Sequence, residues 1–358
     1  MRTARGRICA PAFAWLLVSA TMGAAVPAPD WPRASAASQA MDSALLDAAR
    51  AEVGRQHLAL HGMLVLRHGF IVEEDYWPPY GPGTPHELYS CTKSFVSALT
   101  GIAIQRGYLG DVSDKVLPYF ADRPLAHPDP RKAGITLANL LTMSSGLAWA
   151  EGDPTYRQMY ETRDWVSYVL GQPMQADPGS SFLYSSGTTH VLSALLQRRT
   201  GDTYAFAREV LFGPIGITDP AWDRDPQGIP IGGWGLKLSP RDMARLGYLY
   251  LHDGSWDGTA VVPSAWVRAS TRKHISAGPV LGYGYQWWID DSVPLYAALG
   301  RFGQGIFVVP SRDLVVVFTA HLEGSEPEFD LLRRFILPAC QQAPRQSFGT
   351  GEPTPARS

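Results

Sequence analysis

The spacing of apolar and polar positions along the chain changes from one segment to the next, and each change predicts an element. Residues Met41 to about His57 read as a helix. Two apolar runs follow, Met63-Leu64-Val65-Leu66 and Phe70-Ile71-Val72, on either side of Arg67-His68-Gly69, which is the pattern of a hairpin. A Pro/Gly-rich loop at Pro78–Pro85 comes next. Beyond it, Cys91, Phe95, Leu99 and Ile102 recur at i, i+4, i+8 and i+11, predicting a helix with one buried stripe that stops near Gly107. From Asp111 to about Pro230 the text is loop and helix, including Thr162–Leu170 and Thr188–Arg199. Strands return at Tyr283–Ile289, Ile306–Val309 and Leu314–Thr319, and an amphipathic helix over Glu328–Ala339 closes the pattern. Strands at both ends around a helical middle predict an α/β chain of the α+β kind. Its antiparallel sheet would draw on residues 29–110 and 231–342, with 111–230 as a mainly helical insertion and 343–358 as a Pro- and Gly-containing tail.

Composition narrows the class. The chain has 358 residues, 45% of them hydrophobic, and a net charge of −2 with no run of Lys or Arg, so nucleic acid is not an expected partner. The first 28 residues differ from the rest: Arg2, Arg5 and Arg7 precede an apolar stretch from Ile8 to Val26 that ends in small residues, the order of a secretory signal peptide. Cleavage after Ala25 or Ala28 would take the net charge from −2 to −5, and the protein would be periplasmic or secreted; the alternative is an uncleaved membrane anchor, since the apolar stretch nearly reaches the roughly 20 residues that span a bilayer. Beyond Cys9, only Cys91 and Cys340 remain, and they read as unpaired thiols rather than a disulfide framework. His57 and His61 lack the glutamate of an H-E-x-x-H motif, so no metal or cofactor is expected.

The candidate chemistry starts at Ser90-Cys91-Thr92-Lys93. Residues three apart share a helix face, so Ser90 and Lys93 can form a nucleophile and its base, with the helix N-terminus favouring developing negative charge. Two further segments extend the pattern: Pro178-Gly179-Ser180-Ser181-Phe182-Leu183-Tyr184-Ser185-Ser186-Gly187, and Leu299 through Pro310 with its glycines at 300, 303 and 305. Ile135 through Leu147 and Gly232 through Gly247 add to it.

Jointly these segments resemble the serine β-lactamase-like hydrolases of the class C type, over roughly residues 45 to 340. That family includes penicillin-binding DD-peptidases, small-ester esterases and 6-aminohexanoate-dimer hydrolases. The resemblance implies a β-lactamase/transpeptidase-like fold with Ser90 as nucleophile, and Lys93 and Tyr184 as the groups that move protons. It leaves open which of the two is the acylation base. The oxyanion donors it implies are the backbone amides of Ser90 and of Ile306 or a residue one or two away. Two departures bear on the substrate. Ser186 stands at the third position of Tyr-x-Asn, and Gly303-Gln304-Gly305 replaces a Lys-Thr-Gly or His-x-Gly element. Both weaken a β-lactam or peptide-terminus reading and favour the branch that cleaves small esters or linear amides. Ser186, Gln304, Gly305, Trp234 and Tyr160 are then the candidate substrate contacts. A DD-peptidase or β-lactamase, and a non-catalytic binding protein on the same scaffold, are the alternatives.

Overall fold

The computed structural model describes residues 30–324 and 326–340; the signal-like stretch and the tail lie outside the described residues. Its centre is an antiparallel sheet of eight strands. These are β1 (Leu60–Arg67), β2 (Phe70–Tyr76), β3 (Ile275–Ser276), β4 (Leu281–Tyr283), β5 (Trp288–Asp290), β6 (Leu295–Gly300), β7 (Gln304–Val309) and β8 (Leu314–Ala320). Across the sheet they run β2-β1-β8-β7-β6-β5-β4-β3. The first hairpin therefore pairs with the last strand, joining the two parts of the chain, with Val65 opposite Val316 and Leu64 opposite Val317.

Side chains alternate between the faces as the period of a strand requires. Met63, Val65, Phe307, Val316 and Phe318 enter one apolar cluster, shared with helix α1 (Ser43–Arg55) and the C-terminal helix beginning at Glu326. Leu64, Leu66, Ile306, Val308, Val315 and Val317 enter the other, larger cluster. That second face is covered by α2 (Thr92–Gln105) and α4 (Pro240–Leu251), with α3 (Ser186–Thr200) packed on α2. Helix α2 is buried on every side from Thr92 to Ala103, between the sheet and the helical part of the chain.

Two differences from the sequence pattern matter for the site. The run Tyr283–Ile289 is two short strands, because Gln286 takes a φ of 64° and Gly284 N–H closes a turn on the Trp287 carbonyl. An unanticipated strand, β6, also lies between β5 and β7. This makes β6, not β7, the strand whose end reaches Ser90.

Candidate active site

Ser90 sits in a single 3-10 turn, Tyr89–Cys91, that runs directly into α2. Tyr89 takes a φ of 45°, in the sparsely populated left-handed region. Below the turn, the buried Cys91 thiol donates to the carbonyls of Ala298 and Gln304, both at 3.4 Å, fixing the Ser90 turn to β6 and β7. Burial pushes this thiol's pKa well above its ordinary value, and Cys91 and Cys340 are both free and buried.

Lys93, the second residue of α2 and one turn beyond Ser90, is 1% exposed. Its Nζ donates to Ser90 Oγ at 2.7 Å, Ser186 Oγ at 2.9 Å and the Gly233 carbonyl at 2.8 Å. Burial pushes its pKa down from 10.5 to about 8, against the opposing pull of the Glu151 carboxylate. Gly233 can come this close only as glycine, since a Cβ there would lie 2.7 Å from Ser186 Cβ. Tyr184 lies over the same ammonium, its ring centroid 4.8 Å from Nζ. Its phenol pKa is raised by burial, with a hydrogen bond to Ser90 working the other way.

Two cavities meet at Ser90. One, of about 750 Å³, is walled by Tyr184, Trp288, Leu281, Leu299 and Phe302 among others. The second, of about 510 Å³, has Tyr156, Tyr160, Ser186, Gly233 and Trp234 around Ser90. Glu151 and Arg301 line both. Of the residues singled out in the sequence, Ser90, Lys93, Tyr184 and Ser186 are thus brought together, and Trp234 and Tyr160 wall the second cavity.

Three residues are placed elsewhere. Ile306 is fully buried within β7, opposite Ala298 on β6 and Val317 on β8, in the interior of the ladder. Gln304 is 2% exposed, and its amide donates to the Ala320 carbonyl at 2.6 Å, turned into the sheet. Gly305 pairs with Leu299 and Phe318 inside the same ladder. The backbone that approaches Ser90 is instead Gly300, where a Cβ would stand 3.3 Å from Ser90 N and 2.3 Å from the Leu88 carbonyl. Arg301 follows it, its guanidinium stacked on Phe302 at 4.6 Å.

The sequence pattern also missed Glu151. It arrives from a loop before the helix Thr155–Tyr160, and no local spacing ties it to Ser90. Its Oε1 accepts from Trp149 Nε1 and the Ser186 backbone N–H, both at 2.6 Å. Its Oε2 accepts from Tyr156 OH at 2.5 Å and Ser186 Oγ at 2.9 Å.

A buried lysine bonded to a serine at a helix start, with a tyrosine beside both, is an arrangement for nucleophilic catalysis through serine. The beta-lactamase family model matches residues 44–341. The chain belongs to the beta-lactamase family, as a serine hydrolase. Among curated relatives, the 6-aminohexanoate-dimer hydrolase of Paenarthrobacter ureafaciens is 26% identical over 281 residues, covering 71% of this chain and 70% of that protein. The lovastatin esterase of Penicillium rubens is 29% identical over 192 residues, 47% of this chain and 46% of its own. Among solved structures, EstCE1, described as a hydrolase with promiscuous acyltransferase activity, superposes with a TM-score of 0.70 at 17% identity. The match covers 84% of this chain and all of that one.

Proposed function

We propose that the protein hydrolyses small esters or linear amides through an acyl-enzyme on Ser90. The observation that carries this reading is the 2.7 Å contact between Lys93 Nζ and Ser90 Oγ at the junction of two cavities. Ser90 Oγ attacks the carbonyl carbon, forming a C–O bond while its proton passes to neutral Lys93. The tetrahedral oxyanion sits between the backbone N–H of Ser90 and, in place of Ile306, that of Arg301, which the close approach of Gly300 brings alongside. On collapse, the bond to the leaving alkoxide or amine breaks, and the leaving atom takes, through Tyr184, the proton that Lys93 had gained, which leaves the lysine neutral again. Water then repeats the sequence on the acyl-enzyme, releasing the acid and restoring the Ser90 hydroxyl.

The names of the relatives support ester or amide substrates. So does Ser186 in place of a side-chain amide, since its hydroxyl is committed to Lys93 and Glu151. The order of charged, apolar and small positions in residues 1–28 supports export, which N-terminal sequencing of the released protein would check. The functional test is hydrolysis of p-nitrophenyl butyrate by the wild-type protein beside Ser90→Ala. Activity that vanishes in the variant supports the reading. Equal activity in both folded proteins would overturn it, and covalent labelling by penicillin would point to a peptidase instead.

A further inference from the structure

The proton-transfer step needs more than a lysine near Ser90. A neutral amine has two N–H bonds and one electron pair, and only the electron pair can take the serine proton. The three atoms around Nζ do not treat these alike. The Gly233 carbonyl can only accept, so one N–H must point there. Ser186 Oγ can accept or donate, and its role decides where the electron pair goes.

Glu151 decides it. Its Oε1 is filled by two groups that can only donate, the Trp149 indole and the Ser186 amide. Its Oε2 takes the hydroxyl protons of Tyr156 and Ser186. With its proton held by the carboxylate, Ser186 Oγ presents lone pairs to Lys93 and must accept the second N–H.

We infer that Glu151 is a positioning residue for acyl transfer: by holding the Ser186 proton, it leaves the electron pair of neutral Lys93 facing Ser90 Oγ. This rests on the proposed role of Lys93 as base. The charged and titratable groups around Lys93 are Cys91 in the turn that leads into its helix, Tyr184 from the segment before α3, and Glu151; Arg301 and Glu323 line the cavities nearby. Among these, Glu151 is joined to the lysine through one shared hydroxyl.

The test is Glu151→Gln, which keeps the shape. The amide oxygen can face the two obligate donors while its NH2 faces the two hydroxyls, which are able to accept. The carboxylate charge is lost, and the Ser186 proton is released to compete for the lysine's electron pair. The kcat/KM profile for p-nitrophenyl butyrate is expected to change in two ways. Its acid limb moves to lower pH by about one unit, since an opposite charge is removed from the ammonium. Its plateau falls roughly ten- to a hundredfold, part of the 10²–10⁴ that general base catalysis contributes. A merely structural role would lower the plateau without moving the limb, and that outcome, or a limb moved upward, overturns the inference. Should Glu151→Gln fail to fold by circular dichroism, Ser186→Ala removes the shared hydroxyl, and with it an acceptor that favours the charged ammonium, so the limb is expected to move to lower pH there too; an unmoved limb overturns the inference equally. Ser90→Ala, measured alongside, separates the two claims. If it retains activity, the acyl-enzyme reading itself fails; if it is inactive while the Glu151→Gln limb stays in place, only the positioning role does.

Discussion

Adding one methyl group at Gly300 should cost the protein most of its activity and little of its fold. Gly300 has φ −124° and ψ 159°, extended backbone open to any residue, so conformation does not require glycine there. Space does: a Cβ would lie 2.3 Å from the Leu88 carbonyl oxygen, where such contacts essentially never fall below 3.0 Å, so the end of β6 must retreat by about 0.7 Å. Overpacking of this kind typically costs about 1–3 kcal/mol, which a domain of this size can survive. The same retreat carries the following N–H, that of Arg301, away from the oxyanion. Misplacement near 1 Å can cost about 100-fold, and loss of an oxyanion donor about 100- to 1000-fold. The assay is kcat for p-nitrophenyl butyrate by Gly300→Ala, with melting followed by circular dichroism. Gly54→Ala is the control, since a Cβ there meets nothing within 4 Å and the change, in the last turn of α1, should stabilise by less than about 1 kcal/mol without altering kcat. A folded Gly300→Ala protein with kcat within about threefold of wild type would refute the placement of the oxyanion site at the end of β6.

Other outcomes follow from the same geometry. Tyr184→Phe should slow an alkyl ester such as ethyl butyrate more than p-nitrophenyl butyrate, because only the alkoxide needs a proton to leave; equal losses would remove Tyr184 from that role. For the wild-type protein, kcat/KM should rise with pH through about 8, the value to which burial pushes the Lys93 ammonium. A flat profile between pH 6 and 9, spanning that value, would count against Lys93 as base. The same depression has a stability consequence. Between about 8 and 10.5 the unfolded chain holds a proton at Lys93 that the native protein has lost, so stability due to this group grows as pH rises across that window. Relative to Lys93→Met, the wild-type protein should gain up to ~3 kcal/mol over that range in chemical denaturation; a difference independent of pH would contradict the burial of a titrating amine.

What could be read from the sequence was local. Ser90, Lys93 and Cys91 share one stretch of chain, so helical spacing alone places two of them together and the third beneath. The hairpin of β1 and β2 and the C-terminal strands were legible because their apolar runs are dense in Val, Leu, Ile and Phe. Strand β6 was not. Its Leu-Tyr-Ala-Ala-Leu-Gly text contains two alanines, weak strand formers, and is buried on both faces, so it shows no alternation. Without it, the sequence reading sets the second oxyanion donor on β7 at Ile306, whereas the backbone that closes on Ser90 in the structure is at Gly300, the end of β6. Glu151 was hidden for a different reason: it meets Ser186 from 35 residues away, and a single acid in a loop carries no periodic signal. Gln304 looked like a substrate contact beside its glycines, but its amide is spent on the Ala320 carbonyl.

The central claim is a covalent intermediate on Ser90, and it can be read directly. The protein is mixed with p-nitrophenyl butyrate, quenched in acid during turnover, and examined by intact-mass and peptide mass spectrometry. The account predicts an added butyryl group on the peptide that contains Ser90, absent from Ser90→Ala. A butyryl group on another residue, or turnover by Ser90→Ala at the wild-type rate, would contradict it.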